Sequence, residues 1–179
     1  RNMLAKKSGM QLMSFKLRHT DEGNEALLDK TFSADIDELM NNDTISFVIP
    51  YLTNYKLKPF FVASSQNIKV YANDEPITSE ESVVDFSSPV RIRLEYGSRE
   101  PREYVVCLKN SGLPIVVIET PDRQGINSKD RWVEKSSMHI YNADGTVNYA
   151  SGNNYMNISG RGNSTWSYNK KPYNIKLNV

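Results

Sequence analysis

Short runs in which apolar and polar residues alternate recur along most of the chain, and a period of two is typical of β-strands. The clearest run is residues 90–96, in which every second residue is apolar and the residues between them are charged. Such a strand buries one face and leaves the other in water. Further short apolar runs lie at residues 14–18, 44–49, 59–63, 68–71 and 103–109.

The spacing of these runs predicts a β-sandwich. Gly97 and Ser98 separate the runs at residues 90–96 and 103–109, which we expect to pair as a hairpin. Other runs recur about every 8–15 residues between clusters of Asn, Asp, Ser, Gly and Pro. About seven strands between Met10 and Asn110 suit an antiparallel, immunoglobulin-like sandwich. Residues 35–41 predict one helical turn.

Beyond Ser111 and Gly112 the pattern changes. Residues 113–118 are continuously apolar, which predicts a strand buried on both faces. Strands are also predicted near residues 132–141 and 155–159, with a hairpin turn at Asp144-Gly145. Residues 173–179 alternate again and predict a half-buried strand that is still in register at Val179, so we expect the domain to continue past this residue.

The fold class predicted is therefore all-β, in three parts. Residues 1–9 form a flexible, polar leader. Residues 10–110 form the immunoglobulin-like antiparallel β-sandwich, and residues 111–179 form a small β-rich segment.

Composition narrows the function classes. The 179 residues include 22 basic and 21 acidic ones, a balance that argues against nucleic acid as a partner. No run approaches the ~20 apolar residues that a transmembrane helix needs. Cys107 is the single cysteine, so no intramolecular disulfide can form, and its apolar run predicts a buried side chain. We expect no catalytic residue and no metal ligand.

The most informative stretch lies between residues 160 and 176. Gly160 and Gly162 flank Arg161 between two predicted strands, and glycine allows the backbone to approach a ligand closely. With Lys170, Lys171 and the neutral donors between them, these residues can cradle a phosphate. The spacing is not that of a P-loop. A tight glycine turn with solvated lysines is the competing interpretation.

The sequence Gly-Arg-Gly-Asn-Ser-Thr-Trp at 160–166, followed by Lys-Lys-Pro-Tyr-Asn-Ile-Lys-Leu at 170–177, resembles the opening signature of the CotH kinase family. These are bacterial spore-coat-type and secreted proteins with an atypical protein-kinase fold. The resemblance implies that Arg161, Lys170 and Lys171 contact the phosphates of ATP. In the family, the metal-binding and catalytic aspartates lie C-terminal to this motif. ATP and a divalent metal are therefore implied for a full-length protein, and we expect no cofactor and no catalysis in this chain.

Residues 10–110 resemble the immunoglobulin-like modules that precede such domains in secreted and surface proteins of gut-type bacteria. The prediction is a non-catalytic N-terminal portion of a secreted or outer-surface-anchored CotH-like protein, extracytoplasmic and monomeric when isolated. Two rival classes stay open. One is an enzyme fragment with half of a nucleotide site. The other is an adhesion module that binds protein or glycan through aromatic residues such as Trp132, Tyr155 and Trp166.

Overall fold

The computed structural model describes residues 9–151 and 155–178, apart from the side chains of Ile36 and Glu38. The predicted leader therefore lies outside the described residues except for Gly9, and so does Val179. The described chain is almost entirely β, with fifteen strands, one short helix α1 (Ile36–Asn41) and three 3₁₀ turns. It divides into two compact units, Arg1–Ser111 and Gly112–Val179.

The described residues of the first unit form ten strands in three sheets. Two larger sheets have the orders β2-β1-β5 and β3-β10-β9-β6-β7, and β4 and β8 form a small pair. Strands β3 and β10 run parallel, whereas the other pairs are antiparallel. The ten strands are β1 (Leu12–Leu17), β2 (Phe32–Ser33), β3 (Thr44–Ile49), β4 (Lys56–Leu57), β5 (Pro59–Ala63), β6 (Lys69–Ala72), β7 (Glu75–Pro76), β8 (Val84–Asp85), β9 (Val90–Glu95) and β10 (Arg102–Asn110).

The two larger sheets of this unit share one core, which confirms the predicted β-sandwich. The ring of Phe15 on β1 stacks on that of Phe47 on β3, with centroids 6.4 Å apart. The hydroxyl of Tyr104 on β10 accepts a hydrogen bond from the Leu12 N–H and donates one to the Leu39 carbonyl, both 3.1 Å long. Twenty-one buried apolar residues from both sheets and their connections form this core.

The described residues of the second unit form one antiparallel sheet. Its strand order is β11-β12-β14-β15, and β13 pairs with β12 across the predicted Asp144-Gly145 turn. Three buried apolar residues, Val133, Met156 and Ile158, form the centre of its core in the described part of the chain. The five strands are β11 (Ile115–Glu119), β12 (Val133–Tyr141), β13 (Val147–Ala150), β14 (Met156–Gly160) and β15 (Tyr173–Leu177).

The two edge strands of this sheet are more exposed than the sequence predicts. β11 was expected to be buried on both faces, but Val116 is 54% exposed. β15 was expected to be half-buried, but Tyr173, Ile175 and Leu177 are 42%, 42% and 46% exposed. Each strand has β12 or β14 as its neighbour on one side and lies at the end of the strand order. Burial of an edge strand depends on the layer opposite it, which alternation along the chain does not encode.

Cys107 is half-buried instead of buried. Tyr104 and Val106 on the same strand point into the sandwich core. Because side chains alternate along a strand, Cys107 lies on the opposite face of β10.

Candidate functional site

Two glycines shape the loop between β14 and β15. Gly160 ends β14, and a Cβ at this position would overlap the indole ring of Trp166, which lies against the glycine. Gly162 has a φ of +86°, a conformation that favours glycine, and a Cβ there would overlap the Thr165 hydroxyl. Both glycines are therefore needed for the packing of the loop itself, whether or not it binds a ligand.

Backbone hydrogen bonds fix the base of this loop. The Gly160 N–H donates to the Ser128 carbonyl over 2.8 Å, and the Arg161 N–H donates to the Pro172 carbonyl over 3.0 Å. Between these anchors the chain makes a 3₁₀ turn at Ser164–Ser167. The hydrogen bond between Arg161 and Pro172 therefore joins the two ends of the loop, and the bond from Gly160 to Ser128 holds its start.

Arg161 and Lys170 line one shallow cleft of about 500 Å³. Tyr168 contributes to its wall and is 60% exposed. Both cationic side chains are exposed, so their charges are accessible to a ligand in solution. No acidic residue is among the described residues that line the cleft, whose remaining members are Gly162, Thr165 and Pro172.

Lys171 lies elsewhere. Its ammonium group is 4.7 Å from the centre of the Trp166 ring, a distance at which a cation is attracted to an indole face. The rings of Trp166 and Tyr173 lie nearly perpendicular to each other, with centroids 6.1 Å apart. Among the sequence-predicted residues, the structure thus brings Arg161, Gly162 and Lys170 to the cleft. It places Lys171 and Gly160 against the indole of Trp166.

The stretch of chain that carries the cleft is basic. Residues 145–179 contain four basic residues and no Asp or Glu. The two units also differ in charge, because residues 1–111 carry 14 basic and 16 acidic residues and residues 112–179 carry 8 and 5. The near-neutral charge of the whole chain conceals this asymmetry. Counting charge over segments would have revealed it in the sequence, whereas the position of Tyr168 in the cleft required the structure.

A larger concave surface, of about 940 Å³, lies in the first unit and is lined mostly by charged residues. These residues pair with one another. Arg93 lies 3.3 Å from Asp74, and Arg91 lies 3.6 Å from Glu103. Because cations and carboxylates alternate on this surface, it offers no consistent charge to a ligand, and we assign it to the stability of the sheet.

The described residues contain no group of three or more His, Cys, Asp or Glu side chains that could hold a metal ion. The two histidines have partners of their own. Nδ1 of His19 lies 3.2 Å from the Thr31 hydroxyl, and the ring of His139 stacks on Tyr141 with centroids 6.3 Å apart.

Comparison with known proteins finds no match among family models, curated proteins or solved structures. The resemblance to the CotH kinase family therefore rests on the sequence motif and stays a prediction. Within residues 9–151 and 155–178, no helix is long and apolar enough to span a membrane.

Proposed function

We propose that the second unit binds a phosphate-type anion in the cleft between Arg161 and Lys170, as the non-catalytic N-terminal portion of a secreted or surface CotH-like protein. The observation that supports this is the presence of two exposed cations on one cleft, in a stretch of chain without an acidic residue. Guanidinium and ammonium groups form charge-assisted hydrogen bonds to phosphate oxygens. The motif resemblance supports both the phosphate ligand and the extracytoplasmic setting.

The proposal assigns binding and not turnover. Phosphoryl transfer depends on positioned metal ions and on a residue that orients the nucleophile. In the CotH family the aspartates with these roles lie beyond the motif present here. The cleft is open to solvent, so salt will screen its charges over a Debye length of about 8 Å at physiological ionic strength. We therefore expect weak binding, with a Kd of about 1 mM, that weakens further with salt.

The test is a titration of the full chain with inorganic phosphate and with ATP at low salt, in which binding is monitored through the amide chemical shifts. We expect shifts to concentrate between residues 161 and 172. Arg161→Ala and Lys170→Ala should each weaken binding about tenfold, the effect of losing a charged hydrogen bond of about 1.4 kcal/mol. Lys69→Ala, which removes an exposed strand lysine of the first unit, is the matched control. Equal losses in all three variants would refute a specific cleft.

A second candidate is a surface module that binds glycan or protein, and the exposed ring of Tyr168 on the cleft wall favours it. An exposed tyrosine offers an apolar face and a polar tip to a sugar ring. Trp166, which the sequence suggested as a contact, is half-buried against Gly160 and is therefore a poorer probe. If glycan binding is the function, Tyr168→Ala should abolish retention on a glycan array and leave the phosphate titration unchanged. If phosphate is the ligand, Tyr168→Ala should have little effect on either assay.

A further inference from the structure

The cleft between Arg161 and Lys170 contains more than charge. It is also lined by Tyr168, which is 60% exposed, by Thr165 and by Pro172. Its volume of about 500 Å³ is within the range of about 300–1,000 Å³ that small-molecule sites occupy. A phosphate group alone would engage the two cations and leave the ring of Tyr168 uncovered. The lining therefore indicates a ligand that carries a second, uncharged surface beside its anionic group.

The chain keeps the aromatic ring close to both cations. Tyr168 and Lys170 are separated by one residue, so their Cα atoms are at most about 7 Å apart. The hydrogen bond of 3.0 Å from the Arg161 N–H to the Pro172 carbonyl holds Arg161 beside the same segment. A ligand of the size of one phosphorylated sugar or one nucleotide can thus contact the ring and the cations at the same time.

The polar groups of the cleft favour a sugar over a nucleobase. A base is recognised through the fixed donors and acceptors on its edge. No Asn or Gln is among the described residues that line the cleft. Its neutral polar side chains, Thr165 and Tyr168, both end in hydroxyls. A hydroxyl donates and accepts, as a sugar hydroxyl does, so the two match in either direction. The apolar face of the Tyr168 ring suits the carbon–hydrogen face of a sugar.

We propose that the cleft binds the phosphate monoester of a sugar, with the phosphate between Arg161 and Lys170 and the sugar ring against Tyr168. This inference rests on the proposed anion site and names the class of molecule that occupies it. The Thr165 hydroxyl is then a partner for a sugar hydroxyl. Lys171 takes no part in binding, because its ammonium group lies over the Trp166 ring.

The experiment titrates the full chain at low salt with methyl phosphate, methyl glucoside, glucose 6-phosphate and adenosine monophosphate, and monitors amide chemical shifts. Methyl phosphate and glucose 6-phosphate are phosphate monoesters of the same charge, so the difference between them measures the contribution of the sugar. We expect glucose 6-phosphate to bind about fivefold more tightly than methyl phosphate, within the range for one aromatic contact. Adenosine monophosphate should bind no more tightly than glucose 6-phosphate, and methyl glucoside should not bind detectably.

Variants separate the two parts of the site. Tyr168→Ala should weaken glucose 6-phosphate binding about fivefold, to the affinity of methyl phosphate, and leave methyl phosphate binding unchanged. Tyr168→Phe keeps the ring and should keep the preference for the sugar. Lys170→Ala should weaken the binding of both esters about tenfold. Lys171→Ala is the matched control, because it removes the adjacent lysine, which does not line the cleft, and it should change neither affinity.

Three results would overturn the inference and leave the anion site standing. One is equal affinity for methyl phosphate and glucose 6-phosphate. Another is tighter binding of adenosine monophosphate than of glucose 6-phosphate, which would show that Tyr168 stacks on a base. The third is a preference for glucose 6-phosphate that survives Tyr168→Ala, which would place the sugar away from the ring. Binding of neither ester would refute the anion site itself, and the inference with it.

Discussion

The two units are built from the same kind of strand but differ in what covers it. In the first unit two sheets face each other, and twenty-one buried apolar residues form the core between them. In the described part of the second unit, one sheet has a core centred on three buried apolar residues. A period-two pattern thus specifies that a strand has an apolar face, but the fold determines whether a second layer covers that face.

The units are also ordered by different interactions. In the first unit, contacts between the elements hold the fold, such as the bonds of the Tyr104 hydroxyl on β10 to Leu12 on β1 and to Leu39 on α1. In the second unit, much of the order near the candidate site comes from the loop, where Trp166 packs on Gly160. A small core tolerates fewer losses, so the second unit should open more readily.

The largest effect we expect is a difference in local stability between the units. Opening free energies within one protein range from near zero to the global value of about 5–15 kcal/mol, according to local burial. Native-state hydrogen exchange on the full chain should show slow amides in β9 and β10 and much faster ones in β11 and β15. Uniform protection across all four strands would contradict a lower stability of the second unit.

The next effect comes from one substitution made in both units. Ile92 on β9 and Ile158 on β14 are both fully buried, so the same change removes the same buried atoms. Ile92→Ala should cost about 2–5 kcal/mol and leave the sandwich folded. Ile158→Ala removes one of the three central core residues, so we expect it to open the second unit while β9 stays protected. Urea unfolding, monitored through resolved amide signals of each unit, measures the effect of both substitutions. Equal loss of stability in the two units would argue against a weaker second core.

A smaller effect tests the loop. Gly160→Ala places a methyl group against the Trp166 ring, and overpacking of this kind costs about 1–3 kcal/mol. Gly9→Ala is the control, because a Cβ there meets nothing within 4 Å. Trp166→Ala should relieve the overlap, so the double variant should cost less than the sum of the single ones. Additive losses would show that the indole and the glycine do not interact.

The sequence predicted the strands of the sandwich well where alternation was long. β3 and β9 lie where residues 44–49 and 90–96 were expected to form strands, and helix α1 coincides with the predicted turn. About seven strands were expected up to Asn110, and the described residues contain ten. Four of the ten have only two residues each: β2, β4, β7 and β8. A strand of two residues is too short to show an alternating pattern in the sequence. The parallel pairing of β3 with β10 joins distant segments and leaves no local signal.

The candidate site was predicted in part for similar reasons. Glycine spacing and nearby cations marked the loop, because these features are local in sequence. The different positions of Lys170 and Lys171 could not be predicted, since they depend on where Trp166 packs. Adjacent residues with the same charge look equivalent until the backbone directs them to different sides.

The smallest effect tests the contact between the two sheets of the first unit. Tyr104→Phe leaves the buried Leu12 N–H without its acceptor, whereas the Leu39 carbonyl keeps a 3.0 Å bond from Arg102. An unsatisfied buried donor costs about 1–3 kcal/mol, and we expect the lower end because one of the two partners remains bonded. Tyr168→Phe, at an exposed tyrosine, should cost almost nothing.

The same residue predicts a pH dependence. Burial raises the pKa of the Tyr104 hydroxyl above its ordinary value, so the folded protein holds this proton more tightly than the unfolded chain. That stabilisation is fully present below about pH 10, where tyrosine in the unfolded chain begins to ionise, and it is lost as the pH rises through the folded pKa. The free energy of unfolding of the first unit, measured with urea, should therefore fall less steeply above pH 10 in Tyr104→Phe than in the wild type. Identical slopes would mean that Tyr104 ionises as readily in the fold as in the unfolded chain, which its burial between the sheets opposes.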